Sequence, residues 1–359
     1  MDYGFVFPAG IHIHDDVAFA EQNGFTHAWL YDSQMLFSDP YASLSLCAVN
    51  THKIQLGTGV TNPASRIAPV TACSIATVNE LAPGRTILGI GTGNTARRTV
   101  GMPAARLDSL RDHVRVVRDL LAQETTNYSE GERHRKIRFL NPDGNWYNIK
   151  TDIPIYIAAS GPKSLELAGE IADGIILFGA VSPVLIDFVM DHVRIGAERA
   201  GRDADSIYKL CMTAFHLTEP GDSLETSEVR QAVGPFVSSS TNIFALSAPD
   251  ANMLPVELRD DIVAFRDIYK VPDEPIETRH LKMYEDYLLG FKKEHEPIVT
   301  DKIIRATTLT GTVDEVVHSV ENMAAAGIDQ VAIQPIIDNQ QTVKTFSDQI
   351  ISRVERAVA

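Results

Sequence analysis

Short runs of apolar residues alternate along this chain with segments whose apolar residues recur every three or four positions. The first run, 3–7, is followed by an amphipathic segment at 15–23 that Gly24 closes. Short apolar runs are typical of buried strands, and the wider spacing is typical of helices. The runs predicted as strands are 3–7, 28–31, 54–58, 86–90, 155–158, 174–178, 207–217 and 330–335.

Eight strands that each lead into a helix predict an α/β fold, a single (β/α)8 TIM barrel. Parallel strands need crossover connections, and strands that are apolar throughout need cover on their outer face. Segments 163–172 and 183–200 are two of the predicted crossover helices. An open doubly wound sheet is the main alternative. The length of 359 residues is compatible with one barrel domain that carries insertions.

Two stretches break this repeat. Residues 124–152, after the fourth strand, are polar with scattered aromatic residues. Residues 219–304, after the seventh strand, contain helical patterns of their own at 256–269 and 280–291. We interpret both as insertions in a single domain spanning 1–359. Long insertions in compact domains often form lids or binding loops.

The charge balance narrows the classes of partner. The chain has 32 Lys and Arg against 47 Asp and Glu, a net charge of −15 without a long basic run. We therefore expect neither a nucleic acid nor a membrane as partner. The three cysteines are too few and too far apart for a disulfide framework or a zinc site. With neither a signal-peptide pattern nor a long apolar window, a cytoplasmic location is expected.

The residues that follow each predicted strand are the candidates for chemistry, because barrel enzymes place their active sites there. His12 and His14 follow the first strand, and such a pair can hold zinc. The later strand ends carry Gly, Thr, Asn, Ser and Gln, which are too neutral to complete a metal site. The sequence therefore predicts no metal and an anionic ligand approached by backbone groups.

Residues 160–164, Ser-Gly-Pro-Lys-Ser, begin a predicted helix. Free backbone N–H groups, two hydroxyls and a lysine at a helix start make a candidate phosphate site. An ordinary helix N-cap is an equally weighted alternative. The glycine-rich loop 89–94 is a second candidate, and Arg97 and Arg98 after it are either anion contacts or solvated side chains.

Several of these segments resemble the bacterial luciferase-like superfamily. The similarity is carried by residues 55–63 (QLGTGVTNP), 75–81 (IATVNEL) and 84–93 (GRTILGIGTG). Residues 157–168 and 171–174 are also similar, especially to the branch of methylenetetrahydromethanopterin reductase. The resemblance covers about 1–218 and 306–359 and leaves the second insertion unexplained.

The resemblance implies a barrel that binds FMN or the deazaflavin coenzyme at the strand ends. It places the ring against a bulge after the third strand, with a non-proline cis peptide at Gly59–Val60. The cofactor phosphate would meet residues 160–163. The full set of implied cofactor-binding residues is Thr58, Gly59, Val60, Gly91, Thr92, Asn94, Ser160, Gly161, Pro162, Lys163 and Gly179.

The chain departs from luciferase at the second strand end, where luciferase has a catalytic histidine. Residues 31–34 read Tyr-Asp-Ser-Gln here, so a histidine base does not transfer. Asp32, Gln34 and Asn62 are candidates to orient the ring or substrate, or else they satisfy backbone groups. His280 and Tyr284 are four residues apart and share one face of a predicted helix. They are interpreted as substrate contacts or lid residues, with ordinary surface side chains as the alternative.

The preferred functional prediction is a two-component monooxygenase that uses reduced FMN and O2 to oxygenate a small organic substrate. A separate NAD(P)H:flavin reductase would supply the reduced FMN, since no dinucleotide fingerprint is evident. FMN is preferred because the long insertion suits a water-excluding pocket. The alternatives are a deazaflavin-dependent oxidoreductase that transfers hydride and a non-catalytic flavin-binding protein.

The substrate is predicted only as a small organic molecule, with an aromatic or heteroaromatic one suggested by Trp146, Phe236, Phe244 and Tyr284. Aromatic residues are more often part of a core than of a pocket. The resemblance also implies a homodimer or homotetramer.

Overall fold

Eight parallel strands close into a barrel in the computed structural model, which describes residues 1–247, 250–268 and 273–358. The described residues form eleven strands, of which all but β5, β6 and β10 belong to the barrel: β1 (Asp2–Phe7), β2 (His27–Leu30), β3 (Gln55–Thr58), β4 (Thr86–Ile90), β5 (Thr126–Glu130), β6 (Arg133–Ile137), β7 (Ile155–Ala158), β8 (Gly174–Phe178), β9 (Tyr208–Leu217), β10 (Leu309–Gly311) and β11 (Gln330–Gln334). The barrel order is β1-β2-β3-β4-β7-β8-β9-β11, with β11 paired back to β1. The predicted TIM barrel is confirmed, and the open sheet is excluded.

The apolar runs form strands because both faces of each strand are covered. Phe5, Phe7 and Trp29 are completely buried inside the barrel wall. Glycine is needed where these rings approach the backbone: a Cβ on Gly57 would lie 2.4 Å from Cε3 of Trp29. A strand without a side chain at this position lets the indole lie flat against its neighbour.

Helices surround the barrel and also build the second insertion. They are α1 (His14–Gln22), α2 (Pro40–Asn50), α3 (Ala68–Leu81), α4 (Asn94–Arg98), α5 (Leu107–Leu121), α6 (Pro162–Ile171), α7 (Pro183–Arg199), α8 (Ser227–Ser247), α9 (Arg259–Ile268), α10 (Arg279–Tyr284), α11 (Asp301–Thr307), α12 (Val313–Ala325), α13 (Asn339–Phe346) and α14 (Ser352–Val358). The predicted helices at 15–23, 163–172 and 183–200 correspond to α1, α6 and α7.

The first non-repeating stretch, 124–152, contains the antiparallel hairpin of β5 and β6, which pairs Thr126 with Ile137. The second, 219–304, contains α8 to α11. Helix α8 packs against β9 and α9 and so lies over the barrel. The helical pattern at 256–269 corresponds to α9, although Tyr269 lies outside the described residues. The pattern at 280–291 is helical only as far as Tyr284.

The described residues can be considered for a membrane span and for a metal site. None of their helices is both long and apolar enough to cross a membrane. None of their His, Cys, Asp and Glu side chains gather in a group of three that could hold a metal ion.

Candidate active site

A cavity of about 280 Å³ opens at the carboxyl ends of the barrel strands. Its walls are the loops after β2, β3, β4 and β7, side chains of β8 and β9, and part of the second insertion. This is where a barrel enzyme places its active site. The predicted site residues that line it are Asp32, Gly59, Val60, Gly91, Thr92, Asn94 and Ser160.

One wall of the cavity is uncharged and has no large side chains projecting from it. The Gly59–Val60 peptide bond is cis, as the resemblance implied. A Cβ on Gly91 would lie 3.2 Å from Cγ2 of Val60 and 3.3 Å from Cβ of Ala158. Because larger side chains would project from this wall, glycine and alanine leave room for a planar ring against it.

The start of α6 forms a hydroxyl-lined end of the cavity. Gly161 is the N-cap and Pro162 the first helical residue, so the first-turn N–H groups lack helical partners. Ser160 and Ser164 line the cavity, and the Ser164 hydroxyl donates to the Gly161 carbonyl at 2.9 Å. Lys163 is exposed and does not line the cavity. The anion-binding capacity of this end therefore comes from backbone groups and serine.

Asp32 is the carboxylate on the cavity wall, and it is 3% exposed. Its Oδ2 accepts hydrogen bonds from Thr61 Oγ1 at 2.6 Å and from Arg66 Nη1 at 2.5 Å. Arg66 also contacts Asp39 and lies over the ring of Tyr41. Burial raises the pKa of Asp32 above its usual value, although Thr61 and Arg66 oppose that rise.

A hydrogen-bonded chain connects the barrel rim to the second insertion. The Tyr31 hydroxyl donates to Oε1 of Gln334, and Nε2 of Gln334 donates to the Leu288 carbonyl at 3.2 Å. Burial raises the pKa of Tyr31 well above its usual value, so its hydroxyl remains a donor at neutral pH. Tyr31 and Leu288 both line the cavity.

Tyr287 makes a second connection between the insertion and the barrel. Its hydroxyl contacts the Ser239 hydroxyl of α8 and accepts a hydrogen bond from Thr95 Oγ1 at 3.2 Å. Burial raises the pKa of Tyr287, which keeps the phenol neutral. The insertion is thus held over the cavity by polar contacts with α4.

Asn94 and Arg98 both line the cavity on α4. Nε of Arg98 donates to Oδ1 of Asn94 at 2.7 Å. Nδ2 of Asn94 is buried and has no partner among the described residues. A buried donor without an acceptor costs roughly 1 to 3 kcal/mol, so this amide is suited to a ligand acceptor.

Thr58 and Gly179, like residues 161–163, belong to the predicted cofactor set but do not line the cavity. Thr58 is buried, and its Oγ1 donates to the Gly89 carbonyl at 2.7 Å. Gly179 has a φ of +73°, and a Cβ there would lie 2.8 Å from Cβ of Ser240 on α8. Their observed contacts connect β3 to β4 and β8 to the insertion.

Gln34 and Asn62 also lie beside the cavity, with their amides engaged by protein. Gln34 Nε2 donates to the Ala96 carbonyl, and its Oε1 accepts from Ser65 Oγ at 3.2 Å. Asn62 Oδ1 accepts from the backbone N of Ala64 and of Ser65, each at 3.0 Å. The sequence left two roles open for these residues, and the observed contacts are those of the second role, hydrogen bonding to neighbouring backbone groups.

His280 and Tyr284 lie on one face of α10, and neither lines the cavity. His280 packs against Gly101, where a Cβ would lie 3.0 Å from Nδ1 of the histidine. Tyr284 is 3% exposed, and its ring centroid is 5.2 Å from that of Tyr287. Both residues therefore stand behind the cavity wall.

The aromatic residues that suggested an aromatic substrate are dispersed. Phe236 and Phe244 are buried core residues of α8, and Trp146 in the first insertion is 72% exposed. Phe178 of β8 does line the cavity, with its ring centroid 4.4 Å from that of Phe236.

Sequence reasoning missed several residues of the site. Tyr31 was recoverable, because it directly precedes Asp32 at a strand end. A further group lies in the second insertion, where neither periodicity nor resemblance assigned positions. The missed lining residues of this segment are Ile243, Leu246, Tyr287 and Leu288.

The sequence of this chain is similar to those of known proteins. The sequence model described as luciferase-like monooxygenase matches residues 12–330. A 5,10-methylenetetrahydromethanopterin reductase of Methanolobus tindarius is 31% identical over 337 residues, which cover 92% of this chain and 93% of the relative. An F420-dependent glucose-6-phosphate dehydrogenase of Segniliparus rotundus is 31% identical over 274 residues, covering 72% and 78%.

Two solved structures share the fold at lower sequence identity. The coenzyme F420 dependent tetrahydromethanopterin reductase of Methanopyrus kandleri superposes with a TM-score of 0.70 at 24% identity, covering 98% of this chain and 99% of that one. The monooxygenase RslO1 of Streptomyces bottropensis gives 0.61 at 18% identity, covering 98% and 99%. Since the sequence match spans most of the chain, this protein belongs to the luciferase-like monooxygenase family and is an oxidoreductase built on a TIM barrel.

Proposed function

We propose that this protein is a deazaflavin-dependent oxidoreductase that transfers hydride between coenzyme F420 and a small organic substrate. The observation that carries the proposal is the 31% identity to a methylenetetrahydromethanopterin reductase over 92% of the chain. A second relative is named for its F420 dependence. The FMN monooxygenase preferred from sequence has less support, because RslO1 resembles this chain in fold at only 18% identity.

The cavity fits a ligand with a planar ring and a phosphate. The wall at Gly59, Val60 and Gly91 has room for a planar ring, because no side chain projects from either glycine. The first turn of α6 and the Ser160 hydroxyl provide donors for a phosphate. Bound F420 would supply a two-electron hydride donor or acceptor.

The chain's own residues would position the reactants and exclude water. Ile243, Leu246 and Leu288 form an apolar cover on the insertion side of the cavity. Tyr31 and Tyr287 stay protonated and act as fixed donors or acceptors. In this environment the distance between the reacting carbon atoms is set by packing, which is the main requirement of hydride transfer.

Asp32 is the candidate to hold or accept a proton if the substrate needs one. Both of its protein hydrogen bonds fall on Oδ2, and no donor among the described residues reaches Oδ1. Burial raises the pKa of Asp32, which brings the carboxyl closer to the range useful for proton transfer.

Anaerobic titration of the purified protein with reduced F420 and with reduced FMN tests the proposal. We expect F420 to bind with a Kd at least roughly tenfold lower, and oxygen admitted afterwards to be consumed no faster than without protein. Tighter binding of FMN with protein-dependent oxygen consumption would support the monooxygenase instead. Binding of neither cofactor would contradict both enzyme hypotheses.

A matched pair of variants locates the phosphate. Ser160→Ala should raise the Kd for F420 roughly tenfold, because it removes a hydroxyl from the cavity. Lys163→Ala should change it less than about threefold, because the lysine is exposed and outside the lining. The reverse order of effects would move the phosphate away from the cavity.

A further inference from the structure

The cavity wall contains an unbalanced positive charge. Asp32 and Arg98 are the charged residues that line the cavity in the described part of the chain. Arg66 balances Asp32, whereas Arg98 has no carboxylate partner among the described residues and bonds only to Asn94. In a chain with a net charge of −15, a cation left unpaired at a cavity is suited to an anionic ligand.

Buried polar atoms without partners lie on α4, which carries this arginine, and on α10. Besides Nδ2 of Asn94, the hydroxyl of Tyr284 and Nδ1 of His280 are buried without hydrogen-bond partners in the described structure. The Gly101 N–H donates to the Arg98 carbonyl at 2.9 Å, and His280 packs on that glycine. These groups therefore form one cluster between α4 and α10.

Tyr284 lies one helical turn after His280 on α10, so the two side chains share one face of that helix. Burial raises the pKa of Tyr284 well above its usual range, while the Arg98 guanidinium acts in the opposite direction. A neutral phenol behind the cavity wall adds no negative charge that would offset the Arg98 guanidinium.

The remainder of this side of the cavity is apolar. Phe178 and Met212 come from the barrel, and Ile243 and Leu246 come from α8. A ligand that occupies this side would thus have an apolar body next to one charged group. The hydroxyl-lined end at Ser160 and α6 is a separate set of donors and already suits the cofactor phosphate.

We propose that Arg98 and Asn94, backed by Tyr284 and His280, form a subsite for a carboxylate on the substrate of this enzyme. The substrate class is then a small organic acid with an apolar body. The guanidinium presents parallel N–H donors that match a carboxylate, and a neutral isostere cannot replace that charge. This inference rests on the proposed function, which it deepens by naming the substrate class.

Benzoate and benzamide are probes that differ in charge at nearly constant shape. Each is titrated by calorimetry into the protein with and without F420, for the unchanged chain and for Arg98→Gln, Arg98→Lys and Arg97→Gln. Arg97 is the matched control, because it adjoins Arg98 on α4 but does not line this cavity. The Kd for F420 is measured for every variant.

We expect benzoate to bind at least roughly tenfold tighter than benzamide. Arg98→Gln should remove the preference for benzoate and change the Kd for F420 less than about threefold. Arg98→Lys should retain part of the preference for benzoate, and Arg97→Gln should retain all of it. The titration without F420 tests the subsite even if F420 does not bind, so the two proposals fail separately.

Three results would overturn the inference. One is equal binding, or absence of binding, of both probes to the unchanged protein. Another is a preference for benzoate that persists in Arg98→Gln while thermal unfolding shows the variant to be folded. The third is a loss of F420 affinity in Arg98→Gln without loss of the benzoate preference, which would assign the arginine to the cofactor.

Discussion

The barrel wall and the insertion wall of the cavity are built differently. On the barrel side, strand-end residues are held by short contacts to their neighbours, as Asp32 is by Thr61 and Arg66. On the insertion side, Tyr284 and His280 retain unpartnered polar atoms. The barrel side is thus fixed by its own hydrogen bonds, whereas the insertion keeps unused hydrogen-bonding groups behind the cavity wall.

The largest expected effect tests how tightly the barrel side is packed. A Cβ on Gly89 would lie 2.0 Å from the Thr58 carbonyl oxygen and 3.0 Å from Cδ1 of Ile176. Gly89→Ala should therefore lower the free energy of unfolding by about 3 kcal/mol or more. Gly10→Ala is the control, because a Cβ there meets no atom within 4 Å. Equal denaturation midpoints for both variants would contradict the tight packing.

The second prediction compares a buried histidine in each region. His113 on α5 bonds to Thr71 at 3.1 Å, and His295 in the insertion bonds to Ser238 at 3.1 Å. Burial lowers the pKa of each from 6.5 to about 4. The unfolded chain then takes up protons that the folded chain refuses, so stability is lost as pH falls from about 6.5 toward 4.

Replacing either histidine with glutamine should reduce this loss by about 2 kcal/mol between neutral pH and about pH 5. The measurement is the free energy of unfolding at neutral pH and at about pH 5. We expect both variants to flatten the curve, because α8 is packed against β9 and unfolds with the barrel. If only His113→Gln does so, the insertion opens separately from the barrel.

The smallest effect concerns the polar contact between the two regions. Thr95→Val removes the hydroxyl that donates to Tyr287 and should cost about 1 kcal/mol. Hydrogen exchange should increase in residues 284–290, while the barrel strands remain unchanged. Thr77→Val is the control, since its hydroxyl bonds within α3 to the Cys73 carbonyl. Unchanged exchange in 284–290 would mean that the contact does not restrain the insertion.

The difference between the barrel and the second insertion also explains how far the fold could be predicted from the sequence. All eight barrel strands were identifiable, because buried parallel strands are apolar throughout. The longest helix, α8, was missed. It contains Gly234, Pro235 and the run 238–241 of three serines and a threonine, all poor helix formers. Burial of Phe236 and Phe244 in the core outweighs that low propensity.

Residues that line the cavity were predictable where their position at the end of a strand decides which way they face. Gly59, Gly91 and Ser160 follow strands and line the cavity as expected. Sequence spacing did not reveal that the amide of Asn62 is engaged in its own turn or that Lys163 turns outward. Those outcomes depend on side-chain rotation at a loop or helix start, which no periodicity encodes.

The two ends of the second insertion lie side by side. It leaves the barrel at the end of β9 and returns into β10, and those strands pair in parallel, with Leu309 beside Phe215 and Gly311 beside Leu217. Because the paired strands hold the two ends of this segment together, the entropic cost of closing the loop grows only with the logarithm of its length. The segment between β9 and β10 can therefore differ in length and sequence at little cost to the stability of the barrel beneath it.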